Sequence, residues 1–73
     1  MRVKVLNKIY RMNNSEYKGL LGIASEQVPF GIYAIEKKGY AELMNLKCKS
    51  ITQLKNYQRT YKAQGFKVYA NKE

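Results

Sequence analysis

A chain of 73 residues lies at the lower edge of what folds alone, so one domain spanning residues 1–73 is the only reasonable count. Hydrophobic residues make up 45% and charged residues 26%, which argues for a cored globular domain and against general disorder. Lys and Arg number 14 against five Glu, with neither Asp nor His, and the net charge of +9 favours a polyanionic partner while bearing on encounter more than on specific recognition.

Residues 2–10 alternate so that Val3, Val5 and Ile9 share one side, with Arg2, Lys4, Leu6, Lys8 and Tyr10 on the other. This is a strand with one basic face, and Asn7 marks a bulge or a frayed stretch in it. Asn13 stands three residues before Glu16 as a capping box, with Met12 placed to pack on Tyr17, so a helix starts here. Its apolar positions are Tyr17, Leu20, Leu21, Ala24 and Val28, and Pro29 ends it. Gly19 and Gly22, three apart, predict a close approach of this helix to a sheet.

Phe30–Ile35 and Tyr40–Leu46 read as two strands joined by Glu36-Lys37-Lys38-Gly39, a β-hairpin with glycine where positive φ is expected. Ser50 and Gln53 form a second capping box, and Ile51, Leu54, Tyr57 and Tyr61 give a helix its buried stripe. That helix stops at Gly65, with Phe66 returning onto Tyr61 in a Schellman arrangement. The last strand runs from Phe66 to Ala70, followed by a fraying polar tail of Asn71, Lys72 and Glu73.

The order β-α-β-β-α-β predicts an α+β ferredoxin-like split βαβ sandwich. Its antiparallel sheet would hold four strands in spatial order 4-1-3-2, with both helices on one face. A smaller sheet with the last strand placed elsewhere is the alternative.

Catalytic chemistry is thinly supplied. General acid or base work at neutral pH draws on histidine or a strongly perturbed carboxylate, and here the five glutamates fall on separate elements. Neither a metal-ligand set nor a phosphate-cradling glycine loop is present in the sequence, so no cofactor, no metal and no enzymatic activity are expected. Cys48 is a lone cysteine and is expected to be a structural thiol. The longest apolar runs fall far short of the ~20 residues that span a bilayer, and the N-terminal residues lack an apolar signal-peptide region. No membrane partner is expected, and the expected compartment is the cytoplasm.

The informative surface is the sheet face turned away from the helices. Alternation assigns it Arg2, Lys4, Lys8, Tyr10, Tyr33, Tyr40, Lys67 and Tyr69, a mixture of cations and aromatic rings of the kind that holds single-stranded nucleic acid. The second helix adds Lys55, Arg59 and Lys62 in a straight stripe, read either as a solvated helix face or as a phosphate-contacting ridge. RNA and DNA are not distinguished. The same face also carries apolar Leu6, Ile35 and Met44, which makes homodimerisation or capture of a host or phage protein the second reading.

Lys38-Gly39-Tyr40-Ala41-Glu42-Leu43 resembles in part the RNP1 motif of RNA-recognition motif domains. Glu42 stands where that family places a stacking aromatic, so the segment is read as turn chemistry. Over a longer span, residues 17–36 with Lys-Ser-Ile-Thr-Gln-Leu-Lys (49–55) and Gly-Phe-Lys-Val-Tyr-Ala-Asn (65–71) resemble small uncharacterised phage and prophage proteins of low-GC Gram-positive bacteria. That resemblance implies an accessory protein acting on nucleic acid or on a host factor.

Overall fold

The computed structural model describes residues 1–72. Strand β1 (Arg2–Val5) turns directly into β2 (Lys8–Arg11), α1 (Asn14–Gln27) follows, then β3 (Phe30–Lys37), β4 (Tyr40–Lys47), α2 (Ile51–Ala63) and β5 (Lys67–Lys72). The class is α+β. The sheet has five strands in the order β2-β1-β4-β3-β5, with β1 and β4 parallel and every other neighbouring pair antiparallel. The expected four-stranded antiparallel sheet is thus corrected in both strand count and pairing.

The extra strand arises at residues 6 and 7. Val5 pairs with Lys8 across a two-residue turn, and Leu6 takes a left-handed φ of 57° there. A single strand over 2–10 would put Ile9 beside Val3 and Val5. The hairpin instead turns Lys8 and Tyr10 to that side and moves Ile9 beside Lys4, 57% exposed. The second hairpin follows expectation, with Lys38 (φ 36°) and Gly39 (φ 76°) both left-handed, as a two-residue primed turn requires.

The last strand pairs with β3 at the far edge, not with β1. Two crossovers then advance in the same direction across the sheet, β2 to β3 through α1 and β4 to β5 through α2. The first joins two strands of one polarity and the second two of the other, so one common hand puts the two helices on opposite faces. The core is divided accordingly. On one face Tyr17 of α1 packs with Val3 and Ala41; on the other Leu54 of α2 packs with Ile32 and Ile35. The expectation of both helices on one face is therefore corrected. Full burial of Val3, Val28, Ile32 and Leu54 contributes about 1.5–3 kcal/mol each.

Local signals were mostly legible. Asn13 and Glu16 complete both bonds of the capping box, and Met12 packs against the Tyr17 cluster. Ser50 Oγ accepts from the Gln53 N–H, but the Gln53 side chain reaches back to the N–H of Lys49. At the end of α2 the N–H groups of Gly65 and Phe66 donate to the carbonyls of Lys62 and Tyr61, the Schellman pattern, with the rings of Phe66 and Tyr61 edge-on at 6.5 Å.

Three expectations fail. Ile51 is exposed although it was assigned to the buried stripe. Gly19 and Gly22 are exposed, and a Cβ on either would meet nothing within 4 Å, so no close helix-sheet approach requires them. The close approach lies instead at Gly31 (φ 149°), where a Cβ would collide with the Leu46 carbonyl. Asn71 and Lys72 belong to β5, and the Asn71 amide donates to the carbonyls of Ser25 and Val28, tying the strand to the end of α1. Glu73, the end of the expected tail, lies outside the described residues.

Candidate functional site

Register alone builds the site. Arg11 on β2 pairs with Arg2 on β1, Arg2 with Tyr40 on β4, and Tyr40 with Lys37 on β3. Directly paired residues point to the same side, and neighbouring strands lie about 4.8 Å apart, so these four form a row about 14 Å long across the sheet. The row lies on the α2 side, because Ile35, next in phase to Lys37, packs under Leu54. The row behind it is Ile9, Lys4, Glu42 and Ile35. Helix α2 packs on β3 and β5, and its cluster takes in Met44 and Leu46 of β4, which leaves β2, β1 and the Tyr40 and Glu42 end of β4 uncovered on this side.

Arg2 and Arg11 are exposed, whereas Lys4 and Tyr40 are half-buried. The Tyr40 hydroxyl donates to Glu42 Oε1 at 3.4 Å. Its acidity is weakened by burial first, then by the charge and hydrogen bond of Glu42, with Arg2 opposing. Lys37 is already engaged. Its ammonium donates to the Gln64 carbonyl at the end of α2 at 2.9 Å and lies 5.3 Å from the centre of the Phe66 ring. The free cations of the row are Arg2 and Arg11, which together with Met1, Met12, Asn13 and Gly39 line a shallow hollow at the open end of the first hairpin.

The remaining predicted residues lie elsewhere. Lys8 and Tyr10 point to the α1 side with Val5 and Val3, as the hairpin dictates. Tyr33, Lys67 and Tyr69 also face the α1 side, since Tyr69 pairs with Ala34 and Lys67 with Glu36, and a bulge between Ile32 and Ala34 brings Tyr33 over with them. There the Glu36 carboxylate accepts from the hydroxyls of Tyr17 (2.9 Å) and Tyr69 (3.1 Å). Tyr33 stands 6.1 Å from Tyr69, and the Lys67 ammonium lies 5.1 Å from the Tyr69 ring. Burial, and then the bond to Glu36, raise the pKa of Tyr17 well above its ordinary range. Tyr17 and Tyr69 are thus joined through Glu36, with Tyr33 beside Tyr69, on the opposite side of the sheet from Arg2 and Tyr40.

Lys55, Arg59 and Lys62 are exposed on α2 and line a separate hollow with Gln58 and Ala63, sharing no residue with that of Arg2 and Arg11. Of the eleven predicted residues, Arg2, Lys4 and Tyr40 therefore come together. Arg11, which completes the group, was missed because the strand was ended at Tyr10; reading Leu6-Asn7 as a turn would have brought it opposite Arg2.

The group offers cationic donors and one aromatic ring, with one carboxylate, Glu42, between Lys4 and Tyr40; the two arginines are its part suited to binding anions. Among the described residues no cluster of three or more His, Cys, Asp or Glu could hold a metal ion. Cys48 is half-buried beside the Leu54 cluster, and burial pushes its thiol pKa up. No helix among the described residues is long and apolar enough to cross a membrane. No family model, curated protein or solved structure matches the chain, so the reading of this surface rests on its own residues.

Proposed function

We propose that the protein is a small non-enzymatic module that binds nucleic acid through the open half of its sheet. The observation that carries this reading is the row Arg11, Arg2 and Tyr40, backed by Lys4, on a surface α2 leaves uncovered. Cations rooted on paired strands suit a phosphate backbone, and the tyrosine beside Arg2 offers a ring for a base. The net charge of +9 adds a long-range attraction for a polyanion.

Fluorescence titration with short single-stranded and duplex oligonucleotides across a salt series tests it. The expected result is salt-dependent binding whose logarithmic slope falls by roughly 0.7 for each of Arg2, Lys4 and Arg11 replaced by glutamine on a single strand. Binding weaker than about 100 µM at low salt, or a slope indifferent to all three changes, would overturn the proposal.

A protein-binding accessory role, with a homodimer as one form, is the second reading. It is favoured by an apolar hollow formed by Val5, Leu6, Leu20, Ile23, Leu43 and Met44, where Leu6 is 87% exposed. Sedimentation that shows a strict monomer across a wide concentration range would remove the homodimer.

A further inference from the structure

We infer that Arg2 and Arg11 act as one clamp for a single phosphate group, an assignment that rests on the nucleic-acid reading of the same surface and sharpens it. The two side chains project from directly paired residues, Arg2 on β1 and Arg11 on the edge strand β2, and both are exposed. Like charges directly opposite across an antiparallel pair oppose folding, so the pair is disfavoured until an anion sits between the two guanidiniums. Each guanidinium presents a planar fork of N–H donors that matches phosphate oxygens.

The shallow hollow they line also takes in Met1, Met12, Asn13 and Gly39, and no carboxylate of the described residues stands in its walls. Two carboxylates on neighbouring elements have partners of their own: Glu16 accepts the Asn13 N–H in the capping box, and Glu42 accepts the Tyr40 hydroxyl. Lys37, the other cation of the row, is held at the end of α2, so among the described residues of the row Arg2 and Arg11 are the cations turned to an anion. The bound phosphate is that of a nucleic-acid strand, either its terminal monoester or an internal diester.

A double-mutant cycle on the full chain tests the clamp, with inorganic phosphate as the first probe. Thermal melts are recorded in phosphate and in chloride at matched ionic strength for the parent, Arg2→Gln, Arg11→Gln, the double variant and Lys49→Gln as a control at the other end of the sheet. A clamp predicts that phosphate raises the parent's Tm, that either single change weakens apparent phosphate affinity at least tenfold, and that the double change adds little more. Additive losses, or losses no larger than that of Lys49→Gln, would overturn it. Neither arginine variant is expected to melt lower than the parent in chloride, because each removes a repulsion; Arg2→Lys and Arg11→Lys, which keep the charge without the fork, should recover part of the affinity.

The second arm compares single-stranded oligonucleotides bearing a 5′-phosphate, a 3′-phosphate or neither. A preference of about tenfold for one phosphorylated end, abolished in both arginine variants, assigns the clamp to a terminal phosphate; equal binding that is equally lost assigns it to an internal one. Phosphate stabilisation that shows the cycle's coupling, with no oligonucleotide binding, would leave the clamp standing and remove the nucleic-acid reading. Oligonucleotide binding with additive arginine effects would do the reverse.

Discussion

Replacing Leu6 with asparagine should stabilise the protein, although it removes an apolar side chain. Leu6 has φ 57°, a left-handed conformation that costs an L-residue with a bulky side chain roughly 1–2 kcal/mol. Asparagine tolerates that conformation because its short amide bonds locally to the backbone. Leu6 is 87% exposed, so the burial forfeited is at most about 0.4 kcal/mol. The net expectation is a gain of about 1 kcal/mol, which in a domain of this size raises Tm by about 4–8 °C. Asn7, which is not left-handed, provides the contrast: Asn7→Gly should lower stability by about 0.5–1 kcal/mol through the added freedom of the unfolded chain. Thermal melts followed by circular dichroism measure both. An unchanged or lower Tm for Leu6→Asn would refute the hairpin and restore a continuous strand over residues 2–10.

Three further outcomes follow from the packing. Gly31→Ala should cost about 3 kcal/mol or more in guanidinium denaturation, since its Cβ meets the Leu46 carbonyl and its φ is 149°; a loss under about 1 kcal/mol would show that β3 and β4 can part there cheaply. Gly19→Ala and Gly22→Ala should each stabilise α1 by up to about 1 kcal/mol, because nothing lies where the added methyl goes, and destabilisation would reveal a contact partner. Tyr17 has a pKa raised above the ordinary 10.0, so its contribution is complete below that pH and is lost as pH rises past it. Tyr17→Phe should therefore cost about 1–2 kcal/mol at neutral pH and shift the onset of alkaline unfolding upward; an unmoved alkaline limb in urea titrations would sink the assignment.

Both helices, the second hairpin and the Schellman stop were legible because each depends on residues within one turn of each other: Asn13 with Glu16, Lys38 with Gly39, Tyr61 with Phe66. The first hairpin was not, because its left-handed residue is a leucine and the expected glycine is absent. Sheet order was not legible either. Whether β5 joins β1 or β3 depends on long-range packing, here the burial of Val68 and Ala70 with Ile32 and Ile35 under Leu54. The predicted site depended on both. Misplacing one turn put Lys8 and Tyr10 on the side of Arg2, and misplacing β5 with its bulge did the same for Tyr33, Lys67 and Tyr69, which all lie on the other side.

Strand parity explains why the charge, which composition showed at once, resolved into a site only in three dimensions. A two-residue turn reverses the phase of everything after it, so the same turn that hides Tyr10 and Lys8 from Arg2 brings Arg11 opposite it. The parallel pairing of β1 with β4 then sets Tyr40 on the other flank of Arg2, where an antiparallel 4-1-3-2 sheet would have set the far end of that strand. Arg2 thus gains both neighbours, Tyr40 and Arg11, only under the observed topology. The cation pair, more than the total of +9, is what distinguishes this surface from the solvated lysines of α2, since those stand on one helix flank with no strand residue in their hollow. Two arginines rooted on directly paired strand positions cannot part at their backbones, and that shared anchorage is the physical difference between this pair and the scattered lysines of a basic surface.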